Sequence, residues 1–110
     1  MTKRNYSEDV YDLTRLIPPG RITTYGAIAN FLSLGSARMV GWALNKSFTE
    51  QDVPAHRVVN RKGELSGRLH FPSPTMMQEL LEREGVKVVD HVVQDFKNLL
   101  WDPFEEIEDD

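Results

Sequence analysis

TYGAIANFLSLGSARMVGWALNK, residues 24–46, reads as two short helices joined by a turn. From Tyr25 to about Leu32, the apolar residues Ile28, Ala29, Phe31 and Leu32 recur at helical spacing. Thr23 or Thr24 is placed to cap that helix. Ser33-Leu34-Gly35 is a turn, and Ser36 is the N-cap candidate for a second helix, Ala37 to about Lys46. Two short helices across a glycine-containing turn match the helix-turn-helix pattern, which any small helical bundle can also show. The second helix sharpens the reading. Ala37, Gly41 and Ala43 are small, and Arg38 projects beside them. Such a face lets a large partner approach the backbone. A glycine inside a helix costs about 1 kcal/mol relative to alanine, so Gly41 asks for a packing or a docking reason. Close packing inside the domain is the alternative.

Downstream, Val53-Pro54-Ala55-His56-Arg57-Val58-Val59-Asn60 reads as a tight loop feeding a short buried segment. It resembles a site without a reagent. Ala55 stands where a nucleophile is expected, and the chain has no cysteine, which closes the thiolate route and excludes disulfides. His56 is either functional or a structural histidine in a turn. Arg57 is expected to pair with an internal carboxylate or to cap a helix end. Asn60-Arg61-Lys62-Gly63 is a turn signal between Val58-Val59 and Glu64-Leu65, predicting a β-hairpin that forms a small wing.

The flanks complete a mainly helical reading. Residues 6–17 form an expected helix with Ser7 as N-cap, Glu8 and Asp9 in its first turn and Pro18-Pro19-Gly20 as its stop. A helix from Thr75 to Glu84 carries Met76, Met77, Leu80 and Leu81 on one face, with Ser73 as cap, Pro74 at its first position and Gly85 just past its end. Val86 to Val89 is a short strand, and residues 92–101 supply apolar groups that close the fold. The expected organisation is one domain over residues 1–103 and a disordered acidic tail over 104–110.

Charge is unevenly placed. The chain has 13 Lys+Arg and 17 Asp+Glu, but six of the acids (Asp102, Glu105, Glu106, Glu108, Asp109, Asp110) fall in the last ten residues. Between Arg15 and Arg68, eight basic residues face three acids. A basic centre suggests a polyanionic partner; a solvated surface is the alternative. His56, His70 and His91 lack metal-ligand spacing, so neither a metal nor another cofactor is expected. No membrane-length apolar run or signal peptide is seen, and a cytoplasmic location, nucleoid-associated if bacterial, is expected.

Several pieces together carry a family resemblance: Ile17-Pro18 with Gly20, Thr24-Tyr25-Gly26, Ala37-Arg38 with Val40-Gly41, Pro54 to Val59, Ser66-Gly67, and Glu84-Gly85. Over roughly residues 6–103 the chain resembles the DNA-binding and active-site domain of the 6-O-alkylguanine-DNA alkyltransferases, the methylated-DNA–protein-cysteine methyltransferases. That family carries Pro-Cys-His-Arg-Val at its active site. Ala55 in the cysteine position makes the chain more similar to the alkyltransferase-like proteins, the non-catalytic relatives that most often carry tryptophan there.

The resemblance implies a mainly α fold with a short β-hairpin and a winged-helix-like helix-turn-helix. It implies that Tyr25, Ser36, Ala37, Arg38 and Gly41 bind DNA through the minor groove. Arg38 fills the gap left by a flipped nucleotide, and Tyr25 crowds the target phosphate. Tyr25, Val53, Pro54, Ala55, His56, Ser66 and Gly67 enclose the extruded base, and Arg68 at the rim is expected to lie over its face. His56 and Glu84 match the pair that activates the cysteine. With no thiol they have nothing to activate, so no catalytic residue and no enzyme are expected. Trp42 either turns away from DNA or stacks on a sugar. The implied function is recognition of 6-O-alkylguanine in duplex DNA as a monomer, marking it for nucleotide excision repair proteins. A small winged-helix transcription regulator reading undamaged operator DNA is the alternative, and an enzyme with an unusual nucleophile near Ala55 is a third.

Overall fold

The computed structural model describes residues 5–50 and 52–107. Helix α1 spans Tyr6–Arg15. Its cap is Asn5, extended at φ −87° and ψ 160°, whose side chain accepts the Glu8 amide at 3.2 Å. Ser7, expected to cap, is already helical, so its backbone cannot take the extended cap conformation. Buried Val10, Tyr11 and Leu13 face the interior, and the Tyr11 hydroxyl donates to the Ala43 carbonyl at 2.8 Å, tying α1 to the third helix.

Helices α2 (Tyr25–Phe31) and α3 (Ala37–Asn45) are the helix-turn-helix read from the sequence. Thr24 caps α2, its hydroxyl accepting the Ala27 amide at 3.0 Å. Ser33 turns the chain at φ 56°. Ser36 is extended at the α3 N-cap, but its hydroxyl makes no capping bond. Val40, Ala43 and Leu44 of α3 are buried against Val10, Ile28 and Ala29 in the first of two cores.

The β structure departs from expectation. Strand β1 (Thr23–Thr24) pairs in parallel with β2 (Val58–Val59), Thr23 opposite Val58. Val58 and Val59 do not turn back on Glu64-Leu65. The Asn60 turn exists, but the Asn60 side chain accepts the Lys62 and Glu64 amides at 3.0 and 2.9 Å. Glu64 then bridges to Val92, and the Leu65 amide donates to the His91 carbonyl at 2.8 Å. The β-hairpin is β3 (Val88–Val89) with β4 (Val92–Val93), turning on Asp90 and His91 at φ 51° and 63°. Two left-handed residues in succession make the hairpin turn whose twist matches the strands.

Helix α4 spans Met76–Arg83, with Met77 and Leu81 fully buried in the second core beside Ile22, Val59, Leu65 and Val86. It begins after Thr75, not at Pro74 as expected, and the Thr75 hydroxyl donates to Glu79 at 2.6 Å. Gly85, at φ 87°, ends it: its amide donates to Glu82 and that of Val86 to Leu81, both at 3.0 Å. This double closure needs a left-handed residue, and glycine supplies it without strain.

Short helices α5 (Phe96–Leu99) and α6 (Pro103–Glu106) finish the described chain. Helix α6 crosses the boundary expected at residue 103. Asp102 caps it, and Phe104 meets Phe31 of α2 edge-on at 5.1 Å, so apolar contact holds residues 104–107 on the fold. The remainder of the expected tail, residues 108–110, lies outside the described residues. Among the described residues no helix is long and apolar enough to cross a membrane.

Candidate nucleic-acid interface

Two arrangements flank β2. The first is built on Glu84, the residue closing α4. Its carboxylate accepts Arg57 Nε at 3.0 Å and Nη2 at 2.6 Å, pairs with His56 Nε2 at 2.8 Å, and accepts the Gly20 amide at 3.2 Å. Arg57 Nη1 donates to the Ile17 carbonyl at 2.8 Å. Arg57 thus takes both roles the sequence offered it, an internal carboxylate and a chain end after a helix. Burial opposes ionisation of Glu84, but the hydrogen bonds from Arg57, His56 and Gly20 overcome it and hold the carboxyl at about 2. Burial pushes His56 below its ordinary value, outweighing the attraction of Glu84. His56 is therefore neutral at pH 7, its Nε2–H donating to the Glu84 carboxylate.

This network fixes the short 3-10 turn Ala55–Arg57. Ala55 is buried at 7% exposure and belongs to the first core. Its methyl carries no reactive atom, and neutral His56 beside it is already engaged.

The second arrangement is a hollow of about 450 Å³ between α3 and the Ser66-Gly67 loop. From α3 come Ala37, Arg38, Gly41, Trp42 and Asn45; Tyr25 opens α2 on the other side. His70 lines it as well. Gly67 is needed by close approach: a Cβ there would stand 2.7 Å from the Tyr25 hydroxyl oxygen. Burial raises the Tyr25 pKa, and a hydrogen bond with Ser66 offsets only part of this, so the phenol keeps its proton as a donor. Gly41 is different. A Cβ there meets nothing within 4 Å, so packing inside the domain does not explain the glycine. The open space lies on the outer face of α3.

The expected groups are divided between sites. Tyr25, Ala37, Arg38 and Gly41 share the hollow with Ser66 and Gly67, and Ser36 is exposed at the start of α3. Val53, Pro54 and His56 line a different hollow of about 500 Å³ with Phe48 and Arg57. Arg68 lies in a third, sharing only Ser66 with the first, and its Nη1 donates to the Leu65 carbonyl at 3.2 Å. The single enclosure expected for Tyr25 through Arg68 is therefore not one cavity in this structure. Asn45 and His70 were missed as lining groups, and Trp42, which the sequence left between turning away from DNA and stacking on a sugar, lines the hollow with Arg38. Trp42 and Asn45 fall four and seven residues after Arg38, a helical stripe that could have revealed them; His70 carries no such signal. Arg61 and Lys62 stand with Thr24, Gly26 and Tyr25 around a further hollow, adding cations near the start of α2. Among the described residues no group of three or more metal-ligating side chains forms. What the arrangement offers is shape, aromatic faces, donors and positive charge, which suit binding a polyanion.

Comparison with known proteins gives the same direction. Residues 5–86 match the family model of the 6-O-methylguanine DNA methyltransferase DNA-binding domain. Alkyltransferase-like protein 1 of Schizosaccharomyces pombe is 37% identical over 99 residues, spanning 86% of this chain and 92% of that protein. The DNA base-flipping protein of Escherichia coli is 34% identical over 98 residues, spanning 88% and 74%. The fold is similar to the crystal structure of S. pombe Atl1 in complex with damaged DNA containing O6-carboxymethylguanine, with a TM-score of 0.76 and 32% identity over 94% of this chain and all of that one. Mycobacterium tuberculosis OGT in complex with DNA is similar at a TM-score of 0.63 and 30% identity, over 76% of this chain and 51% of that one. The helix-turn-helix, the Ala55–Arg57 turn and the closing Glu84 thus sit in a known frame, and the chain belongs to the 6-O-methylguanine DNA methyltransferase DNA-binding-domain family.

Proposed function

We propose that this protein recognises 6-O-alkylguanine in duplex DNA by docking α3 in the minor groove and flipping the nucleotide, without taking the alkyl group. The observation that carries this is the shared hollow. Arg38, on the exposed face of α3, and Tyr25, at the start of α2, line one open cavity beside the Ser66-Gly67 loop. A base taken out of the stack costs a few kcal/mol. A side chain that wedges into the gap offsets part of this, and such wedges accompany minor-groove binding. Arg38 is placed for that role. Tyr25 crowds the backbone at the target, and Ser36 meets a neighbouring phosphate with the hydroxyl that makes no capping bond.

Ala55 stands in the family's cysteine position, and the chain holds no cysteine to replace it. The alkyl group therefore has no thiolate acceptor. The side chain of alanine also leaves room beside the adduct. Val53, Pro54 and His56 wall the base only if DNA binding joins their hollow to the first, since the two share no lining residue here. Arg68 reaches the base by leaving the Leu65 carbonyl; a cation–π contact worth about 1–2 kcal/mol offsets that lost bond. The names of the similar proteins, alkyltransferase-like and base-flipping, support the reading, as does a structural relative solved with O6-carboxymethylguanine DNA. The protein acts as a monomer in the cytoplasm and hands the marked site to nucleotide excision repair proteins.

The test is binding to one duplex sequence with and without a single 6-O-methylguanine, at fixed and stated salt. The lesion duplex is expected to bind more tightly, and intact mass spectrometry after incubation to show no gain. Equal affinity overturns lesion recognition; a gain of one alkyl group overturns the non-enzymatic reading.

A further inference from the structure

We propose that Trp42 is a DNA-stacking residue whose indole takes the face of an unstacked nucleobase in the hollow shared by Arg38 and Tyr25. The inference rests on the DNA-binding reading above and adds a contact which that reading does not use. Helix α3 has two faces. Val40, Ala43 and Leu44 are buried, whereas Arg38, Gly41, Trp42 and Asn45 all line the hollow. These four lie at i, i+3, i+4 and i+7, which is one stripe of a helix.

Trp42 plays no part in either core and is 54% exposed, while Trp101 is 4% exposed. Other exposed aromatics lean on rings: Phe104 on Phe31 and Phe48 on Phe71. Trp42 has no ring partner among the described residues. Beside it, Gly41 leaves the outer face of α3 open, with nothing within 4 Å of a Cβ at that position. A large aromatic next to a cleared strip of backbone, one turn beyond an arginine, is a surface made for a flat partner that comes close.

On the DNA-binding reading that partner is a nucleobase, and the spacing is compatible with it. Four residues of helix advance about 6 Å. Successive nucleotides of one strand rise about 3.4 Å, so a residue one turn past Arg38 reaches one or two nucleotides from the position Arg38 fills. Every base presents a π face, so this contact strengthens binding without selecting sequence. Asn45 and His70 stand on the same hollow and offer hydrogen-bonding groups to the edge of the base that Trp42 covers.

Fluorescence tests this directly, because the chain holds two tryptophans and Trp101 is buried. In a Trp101→Phe protein, emission from Trp42 is followed while a 6-O-methylguanine duplex is titrated, with binding read in parallel by anisotropy of an end label. In the unaltered protein, protection of the exposed tryptophan from acrylamide gives the same readout should Trp101→Phe fail to fold. Saturating quenching or protection is expected. Trp42→Ala is expected to weaken binding about tenfold and Trp42→Phe to recover most of that loss, since a phenyl face still stacks. A duplex abasic at the target position separates two sources of the base: quenching retained means a neighbouring base, and quenching lost means the extruded one. Binding with unchanged Trp42 emission and a Trp42→Ala affinity within twofold overturns the proposal. The two readings fail separately. Equal affinity for damaged and undamaged duplex, with Trp42 quenched by both, defeats lesion recognition and leaves Trp42 in place, whereas lesion preference with a silent Trp42 does the reverse. A protein that binds neither duplex overturns both.

Discussion

Glu84→Ala tests the network that holds the Ala55–Arg57 turn. The substitution removes the acceptor for Arg57 Nε and Nη2, His56 Nε2 and the Gly20 amide, and leaves Arg57 bonded to the Ile17 carbonyl. The side chains of Glu84 and Arg57 are 15% and 14% exposed, so water reaches the broken pair only in part. Two routes give the magnitude. Hydrogen bonds to charged groups contribute about 1.5–3 kcal/mol each, and the partners here share one carboxylate, so a total near 3 kcal/mol is reasonable. The second route is protonation. The carboxyl moves from 4.5 to about 2 on folding. At about 1.4 kcal/mol per pH unit this also comes to about 3 kcal/mol, which screening at a partly open site reduces toward 2. Urea unfolding at pH 7 is expected to show a loss of about 2–3 kcal/mol, a fall in midpoint on the order of 1–2 M at unchanged slope. The sign with pH follows from the depressed folded pKa. The contribution of Glu84 is full above 4.5 and fades as the pH falls toward 2, so the two proteins converge in that window. His56, also depressed on folding, weakens the unaltered protein in the same direction as the pH falls below 6.5. A difference below about 0.5 kcal/mol at pH 7, or one that persists undiminished at pH 2.5, refutes the reasoning.

Three further outcomes are expected. Arg38→Ala should lower affinity for a 6-O-methylguanine duplex about tenfold by anisotropy, with an unfolding midpoint close to the original because Arg38 is exposed. Gly67→Ala should displace the Tyr25 ring, since the new Cβ falls 2.7 Å from its hydroxyl oxygen; lesion affinity should drop several-fold while stability falls by about 1 kcal/mol or less, as measured by anisotropy and urea unfolding. On the proposed reading, where alanine replaces the larger side chain of the family's acceptor position, bulky 6-O-alkyl adducts should bind within about tenfold of the methyl adduct in competition assays; rejection by two orders of magnitude or more defeats that idea.

The helix-turn-helix was legible because local signals agree: Thr24 is a cap, Ile28 and Ala29 keep the period, and Gly35 marks the turn. The end of α4 was legible in Gly85. The β pairing was not. Strands β1 and β2 are two residues each and 35 positions apart, too short to show a period. Asn60-Arg61-Lys62-Gly63 carries a genuine turn signal, but its use as a hairpin depends on what Asn60 does with its side chain, and it takes two backbone amides. The real hairpin turns on Asp90 and His91, neither of them glycine or asparagine. At the site, Arg38 was legible beside the small residues of the second helix and Tyr25 came from resemblance, while their shared hollow is a matter of helix packing. Ser7 lost the α1 cap to Asn5 because a cap is fixed by backbone conformation as well as residue type.

The final strand of contacts has a consequence for synthesis. Ile22 bridges to Leu100, the Trp101 amide donates to the Ile22 carbonyl at 2.7 Å, and the Trp101 ring is buried among the residues of α1, α2 and α3. The first core therefore lacks one of its largest members until residue 101 has been made. On a ribosome, the helix-turn-helix is therefore expected to leave the exit tunnel before its core is complete, and to pack fully only after residues 100–101 pair with Ile22. A closure spanning nearly eighty residues makes this a late step in folding, and it makes removal of Trp101 a defect felt at the other end of the chain.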